Sequence, residues 1–263
     1  MSLINKIKLL FRFIKYKFTS VTIYKIHSPF VFKLCEDILH NDTSFYDHTL
    51  IESLRTILLA DNNKINVSDY GAGSLINNKR SRKIKKITAY AQSPKYAGLL
   101  SRIVYYFKPS SIIELGTSVG ISAMYLATPC KTVPVYSIEG CPETAALANK
   151  NIEKLKYKNI HIINGTFDDV LPQILTKTSN PSLIFFDGNH RKDPTLKYFN
   201  TCLKHIDNES IMIFDDIHWS DEMEQAWNEI KNHPDVTVSI DLFHLGLVFF
   251  KKELSKQNFI IRF

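Results

Sequence analysis

The stretch SIIELGTSVGISAMYLAT (111–128) decides the fold of this 263-residue chain. It reads as a short apolar strand, a turn with Gly116 and Gly120, and an apolar helical segment. The succession recurs four times further along the chain, with strands VPVYSIE (133–139), NIHIIN (159–164), SLIFFD (182–187) and SIMIFD (210–215). Because these strands are apolar throughout rather than alternating, the pattern predicts a parallel sheet covered by helices on both faces.

The two ends of the chain differ from this pattern. VTVSIDLF (236–243) and LGLVFF (245–250) are separated by a single residue, which allows only an antiparallel hairpin. Before residue 105, helical patterns dominate, over about 2–18, 29–60 and 94–107. We therefore expect an N-terminal helical region over residues 1–104 and an α/β domain over residues 105–263.

Composition excludes several classes of protein. Hydrophobic residues at 44% and charged residues at 22% are ordinary for a globular protein and exclude a disordered chain. The four cysteines have no metal-binding spacing, which predicts a reducing, cytoplasmic location. No apolar run approaches the roughly 20 residues of a membrane span.

The positive charge is concentrated at the N-terminus. Residues 1–35 contain seven bases and no acid. An apolar stripe runs along the helix predicted at residues 2–18, formed by Leu3, Ile7, Leu10, Ile14 and Phe18. Two interpretations stay open: a packing helix whose lysines reach water, or a helix that docks on a partner or on anionic lipid at the inner face of the membrane.

Two glycine-rich segments are candidates for a cofactor loop. SDYGAGS (68–74) is followed by no acidic residue up to position 113, so no carboxylate is available there for a ribose. The turn at 116–120 lies between a strand and a helix, and Glu139 ends the next strand, where a carboxylate can accept hydrogen bonds from a ribose diol. The sequence therefore predicts the cofactor site at residues 114–120.

The charge of this loop indicates the kind of cofactor. The pattern Gly116-Thr117-Ser118-Val119-Gly120 is not the G-x-G-x-x-G of a dinucleotide loop. Glu114, just before the turn, would repel a pyrophosphate but suits a cofactor with an ammonium group. This favours S-adenosylmethionine over NAD, and a turn without a ligand is the alternative.

Five segments together carry a family resemblance: ELGTSVGIS, VYSIE, NGTFDDVLP, LIFFDGNH and IMIFDDIHW. In order and spacing they resemble the motifs of class I S-adenosylmethionine-dependent methyltransferases, over about residues 105–251. The cation-dependent catechol-type and macrolide-sugar O-methyltransferases are the most similar. The resemblance implies a Rossmann-like seven-stranded sheet with a reversed last strand, an N-terminal helical cap, and methyl transfer to a small-molecule hydroxyl. It also makes a homodimer an expectation.

The resemblance also implies cofactor contacts by position. Glu114, Gly116, Thr117, Ser118 and Gly120 would line the methionine half, Glu139 the ribose with Gly140 and Cys141 beside it, Thr166 and Phe167 the adenine, and Asp187 would lie beneath the reacting methyl group.

Three carboxylates end two neighbouring predicted strands. Asp187, Asp215 and Asp216 would repel one another unless a cation joined them, and carboxylate oxygens suit Mg²⁺ or another divalent ion. The alternative is that Asp215 and Asp216 only cap the next helix. For the proton of the acceptor hydroxyl, His190 is the first candidate base and His218 the second.

The basic run KRSRKIKK (79–86) has three interpretations: a solvated face, a site for an anionic acceptor, or a nucleic-acid contact. The rest of the chain outside this run and residues 1–35 is net acidic, and no N/D-P-P-Y motif of base methylases is present, which argues against nucleic acid. Two other functions stay open: an RNA or protein methyltransferase recruited through the basic N-terminal region, and a non-catalytic cofactor-binding module.

Overall fold

A computed structural model of the chain describes residues 3–68, 80–178 and 182–263. Most of the rejected loop candidate SDYGAGS, and Lys79 of the basic run, lie outside these residues. The helices are α1 (Leu3–Thr19), α2 (Pro29–Leu34), α3 (Tyr46–Ala60), α4 (Ile84–Thr88), α5 (Pro94–Phe107), α6 (Ile121–Ala127), α7 (Pro142–Lys154), α8 (Phe167–Lys177), α9 (Lys192–Leu203) and α10 (Asp221–Asn232). Among the described helices, none combines the length and the hydropathy that a bilayer crossing needs.

The strands form two sheets. A two-stranded antiparallel sheet consists of β1 (Lys64–Val67) and β2 (Arg80–Lys83). The large sheet contains β3 (Ile112–Leu115), β4 (Val135–Glu139), β5 (Ile160–Asn164), β6 (Leu183–Phe186), β7 (Ile211–Asp215), β8 (Val238–Asp241), β9 (Leu245–Phe249) and β10 (Gln257–Ile260). Its order is β10-β8-β9-β7-β6-β3-β4-β5.

The predicted α/β fold with a mostly parallel sheet is confirmed. Strand β9 is antiparallel to both β7 and β8, so the reversed strand that the tight hairpin implied is also present. The sheet has eight strands rather than seven. The additional strand β10 lies at the edge and pairs in parallel with β8. Its sequence QNFI is only partly buried and lacks the continuous apolar run by which the other strands were predicted.

The chain divides into two compact units. Met1–Asn41 and Ser182–Phe263 form the first, here called the terminal unit, and Asp42–Pro181 form the second, the central unit. Strands β3–β5 belong to the central unit and β6–β10 to the terminal unit. This division does not coincide with the boundary expected after residue 104, and the domain assignment stays a prediction.

In the terminal unit, α1 is hydrogen-bonded to the C-terminal end of the chain. The Tyr16 hydroxyl, almost fully buried, donates to the carbonyl of Ile261 (2.6 Å) and accepts from the backbone N–H of Phe263 (3.1 Å). Just after α1, Val21 forms a parallel bridge with Ile261. The packed face of α1 is therefore not the predicted apolar stripe, whose members Ile7 and Phe18 are exposed.

The central unit builds its core on β3 and two apolar helices. All four residues of β3 and all seven of α6 are buried. Helix α5 spans the predicted range and begins at Pro94, whose fixed φ suits the first turn of a helix. Strand β2 contains part of the basic run and continues into α4, where Ile84 and Thr88 are buried. Part of the basic run therefore belongs to regular secondary structure and contributes a buried residue to the central unit.

Candidate functional site

The predicted cofactor loop is a tight turn between β3 and α6. Gly116 and Gly120 have φ values of 108° and 86°, a region that glycine enters at little cost. Ser118 also has a positive φ, 51°, which is unusual for a residue with a side chain. The N–H of Gly116 still donates to Ile138 of β4 (3.0 Å) and that of Gly120 closes the turn on Thr117 (2.9 Å). These bonds fix the conformation of the turn.

Glu139 holds the turn from the end of β4. Its Oε2 accepts from the backbone N–H of Ser118 (2.9 Å) and its Oε1 from the N–H of Cys141 (2.9 Å). Burial raises the pKa of Glu139, and these two N–H groups oppose the shift. A carboxylate has about four acceptor positions, so two occupied ones leave room for a ribose diol.

Glu114 lies at the base of the turn and is fully buried. Its Oε2 accepts from the hydroxyl of Ser137, while its Oε1 has no hydrogen-bond partner within the described residues. Burial raises the pKa of Glu114 to about 7, against hydrogen bonds from Ser122 and Ser137, and the charge of Glu139 adds to the rise. A carboxyl group with an unsatisfied buried oxygen is costly unless a cation or donor compensates it.

Except for Asp187, which lies in the terminal unit, the other residues predicted at the cofactor lie in the same turn or at the ends of the next two strands. Thr117 is buried, and its hydroxyl group shares a hydrogen bond with the hydroxyl group of Ser137 (2.6 Å). Thr117 could therefore contact a ligand only through its backbone. Cys141 is buried with its Sγ 3.3 Å from the N–H of Ser68. Thr166 caps α8 and its hydroxyl donates to Asp169 (2.6 Å). Phe167 is the first residue of α8.

Two residues of this site were missed in the sequence. Ser137 lies in the middle of β4 and links Thr117 to Glu114. Asn164 ends β5, and its side-chain amide donates to the carbonyls of Glu139 (2.7 Å) and Gly140 (3.2 Å). A serine inside an otherwise apolar strand was the signal that could have revealed the first, since a buried hydroxyl needs a partner.

In the terminal unit, a second group of polar side chains lies at the ends of β6 and β7; Asp187, His190 and Asp215 form it, and it is here called the Asp187 group. Ligand atoms of Asp187, His190 and Asp215 all lie within 4.8 Å of one another. The Nε2 of His190 is 3.9 Å from Oδ1 of Asp187, too far for a hydrogen bond. Two carboxylates and an imidazole at this spacing are a donor set that a divalent cation can join.

The expected triad is therefore changed at one position. Within the part of the chain that the structure describes, Asp216 does not belong to this group, and His190 takes its place. Asp216 has a φ of 53°, and its Oδ1 is 3.9 Å from Nδ1 of His244. The sequence neighbour of Asp215 is therefore not a member of the group, although the two residues are adjacent in the chain.

His218, the second candidate base, is held in a structural network. Its Nδ1 is 3.0 Å from Glu224 and its Nε2 is 2.8 Å from Asp241. Burial lowers the pKa of His218, but the hydrogen bonds and charges of Asp241 and Glu224 outweigh it and raise the pKa to about 9. An imidazole that is protonated at neutral pH and bonded at both nitrogens is unsuited to accept a proton.

A family model described as a methyltransferase domain matches residues 113–217, which contain the turn, Glu139 and the Asp187 group. This segment is therefore similar to methyltransferase domains. Among curated proteins, the chain is 28% identical over 132 residues to the catechol O-methyltransferase of Niastella koreensis. That match covers 49% of this chain and 59% of the enzyme's length.

Several solved structures share the fold of this chain. An O-methyltransferase from Bacillus cereus in complex with SAH is 18% identical, with a TM-score of 0.57, over 83% of this chain and 96% of that one. An O-methyltransferase from Streptomyces achromogenes, involved in tomaymycin synthesis and bound to SAM, is 18% identical, with a TM-score of 0.53, over 61% and 82% of the two chains. At these identities the likeness concerns the fold.

Proposed function

We propose that the chain transfers a methyl group from S-adenosylmethionine to a hydroxyl group of a small molecule. The observation that carries the proposal is the turn at 116–120, where Glu139 accepts a hydrogen bond from Ser118 at the end of a parallel strand. Open α/β sheets bind ligands at such strand ends. The matched methyltransferase domain and the O-methyltransferase relatives support the same activity.

The residues of the turn suit this cofactor. Glu139 keeps acceptor positions for the ribose hydroxyls, and the two glycines allow a ligand to approach the backbone. Glu114 is buried beneath the turn, so its negative charge would act on a ligand ammonium through a medium of low dielectric rather than by direct contact. When bound, the cofactor supplies a methyl group on a positively charged sulfur, which an acceptor oxygen can attack.

The Asp187 group has the chemistry to bind and activate the hydroxyl group of the methyl acceptor. We propose that Asp187 and Asp215 hold a divalent cation, since their carboxylate oxygens and a ring nitrogen of His190 lie within 4.8 Å of one another. The donor set fits such an ion, whose chemistry would be to lower the pKa of an acceptor hydroxyl. His190 is then either the third ligand or the base that accepts the hydroxyl proton; one nitrogen cannot do both at once.

Calorimetry of the full chain with S-adenosylhomocysteine tests the cofactor. We expect saturable binding to one site, and no binding of NADH, because the loop lacks the third glycine and has Glu114 near the position of a pyrophosphate. Binding of NADH without binding of S-adenosylhomocysteine would overturn the proposal.

A titration with Mn²⁺, followed by its paramagnetic resonance, tests the cation. We expect Asp187→Asn and Asp215→Asn each to weaken Mn²⁺ binding, and Asp216→Asn, the matched control one residue on, to leave it unchanged. Equal Mn²⁺ binding by all four proteins would exclude the site. With catechol as a test acceptor, loss of methyl transfer in His190→Gln with intact Mn²⁺ binding would identify His190 as a base. Loss of both methyl transfer and Mn²⁺ binding would identify it as a ligand.

Further features belong to this proposal. We propose a small-molecule acceptor, and the basic run at 79–86 favours an anionic one. We also propose a homodimer, a cytoplasmic location, and direct contact of the adenine with Thr166 and Phe167.

A further inference from the structure

Helix α1 has two opposite faces, and only one of them packs on the protein. On the packed face, Arg12 and Tyr16 are four residues apart; Arg12 forms an ion pair with Glu224 (Nε to Oε2, 2.8 Å), and Tyr16 is 4% exposed. Ile14 lies two residues from each of them. Two residues turn a helix by about 200°, so Ile14 points away from this face.

The outward face of α1 is apolar. Its members follow at spacings of three and four residues and therefore share one side of the helix. Their exposed fractions are large: Ile7 46%, Leu10 58%, Phe11 68%, Ile14 41% and Phe18 86%. Single exposed apolar residues are common on protein surfaces, but five on one helical face form a contiguous patch, which is typical of an interaction site. We name it the outer face of α1.

Lysines border this face on both sides. At about 100° per residue, Lys6 and Lys17 lie along one edge of the outer face, and Lys8 and Lys15 along the other. Lys8 is engaged with Asp221 (2.6 Å), whereas Lys6, Lys15 and Lys17 have exposed positions. No acidic residue occurs between positions 1 and 35.

We propose that the outer face of α1 docks the protein on an anionic lipid surface. An apolar strip with bulky aromatic rings and lysines along both edges is the arrangement of a helix that lies in a membrane interface. The apolar side chains would enter the acyl boundary while the lysines reach the headgroups, where each base near the surface adds to the attraction.

Charge decides between lipid and a second copy of this chain. In a two-fold symmetric dimer through the outer face, the same patch of both copies would meet. Lys6, Lys15 and Lys17 of one copy would then lie near those of the other, with no acid of residues 1–35 to neutralise them. An anionic bilayer instead offers negative charge along the whole patch. The inference rests on α1 alone and is independent of methyl transfer.

Vesicle flotation of the full chain tests the proposal. We expect binding to phosphatidylcholine vesicles with about 30 mol% phosphatidylglycerol, and about tenfold weaker binding to phosphatidylcholine alone. The double variant Phe11→Ser/Phe18→Ser should bind the anionic vesicles at least about tenfold more weakly. Its matched control, Tyr46→Ser/Tyr90→Ser, removes two aromatic rings that are 79% and 83% exposed elsewhere and should bind like the parent protein.

A second pair of variants tests the lysines. The triple variant Lys6→Gln/Lys15→Gln/Lys17→Gln should lose most of the preference for anionic vesicles. Its matched control is Lys150→Gln/Lys154→Gln/Lys158→Gln, which makes the same change of charge at exposed positions of α7 and of the loop after it. This control should keep the preference. Circular dichroism establishes that each variant folds. Absence of binding to anionic vesicles, or equal binding by Phe11→Ser/Phe18→Ser, overturns the proposal. A dimer in sedimentation that this double variant dissociates, without vesicle binding, would assign the outer face to a second copy.

Discussion

His218 and Asp241 form a partly buried ion pair, with Nε2 of the imidazole 2.8 Å from Oδ2 of the carboxylate. The other nitrogen of His218 is paired with Glu224, which Arg12 of α1 also contacts. The network thus joins the loop after β7, strand β8, helix α10 and helix α1. The raised pKa of His218 keeps its imidazole charged at neutral pH, and that charge is stabilised only in the folded chain.

The first prediction concerns stability against pH. Because the pKa of His218 is raised from 6.5 to about 9 in the folded protein, its contribution is complete below pH 6.5 and is lost as the pH rises to 9. We expect the free energy of unfolding to fall by up to about 3 kcal/mol over this interval. His218→Gln should be less stable at pH 6 and should lose this dependence. Urea unfolding at several pH values measures the stability and its pH dependence. The control is His161→Gln, which changes an exposed histidine on β5. If His218→Gln kept the pH dependence of the parent protein, the prediction would be contradicted.

The second prediction concerns the pH dependence of cofactor binding. Burial raises the pKa of Glu114 to about 7, so at pH 6 most of the protein must lose a proton before the carboxylate can attract a ligand ammonium. We expect S-adenosylhomocysteine to bind about tenfold more weakly at pH 6 than at pH 8. Glu114→Gln should bind with little dependence on pH, and Glu153→Gln, on the exposed side of α7, should behave like the parent. If Glu114→Gln kept the full dependence, another group would be responsible.

The third prediction concerns the hydrogen bonds between Glu139 and the turn. Glu139→Gln leaves one oxygen to accept from Ser118 and Cys141, so one of these N–H groups meets an amide donor. Hydrogen bonds to charged groups contribute about 1.5–3 kcal/mol, so affinity for S-adenosylhomocysteine should fall about 10- to 100-fold. Calorimetry measures the change against Glu153→Gln. An affinity within twofold of the parent would mean that Glu139 does not shape the site.

The fourth prediction concerns packing of β9. A Cβ atom on Gly246 would lie 2.7 Å from Cη2 and Cζ3 of the Trp227 ring on α10, so Gly246→Ala must displace the indole. We expect a loss of about 1–3 kcal/mol in the free energy of unfolding. At Gly98 in α5 the same Cβ would be 3.5 Å from Nη1 of Arg102, an ordinary contact, so Gly98→Ala should be neutral or stabilising by up to about 1 kcal/mol. Similar losses in both variants would show that the indole can move aside.

Local patterns predicted much of the site. The turn at 116–120 and the carboxylate at the end of the next strand follow from glycine positions and strand periodicity, which depend on near neighbours in sequence. Ser137 escaped prediction because its role depends on Thr117 and Glu114, which lie on another element. Asp216 was placed in the metal group because it is adjacent to Asp215, but adjacency in sequence does not bring two side chains to the same point, and only Asp215 lies with Asp187 and His190.

The sequence by itself determined the alternation of strands and helices, the reversed strand after the tight hairpin, and the amphipathic character of α1, because periodicity and turn length act over a few residues. The tertiary structure alone decided which face of α1 is buried. Arg12 has acidic partners on α10 and Tyr16 has the carbonyl of Ile261, so the polar side of the helix packs inward and the apolar side remains exposed. Such partners come from distant parts of the chain, and periodicity carries no information about them.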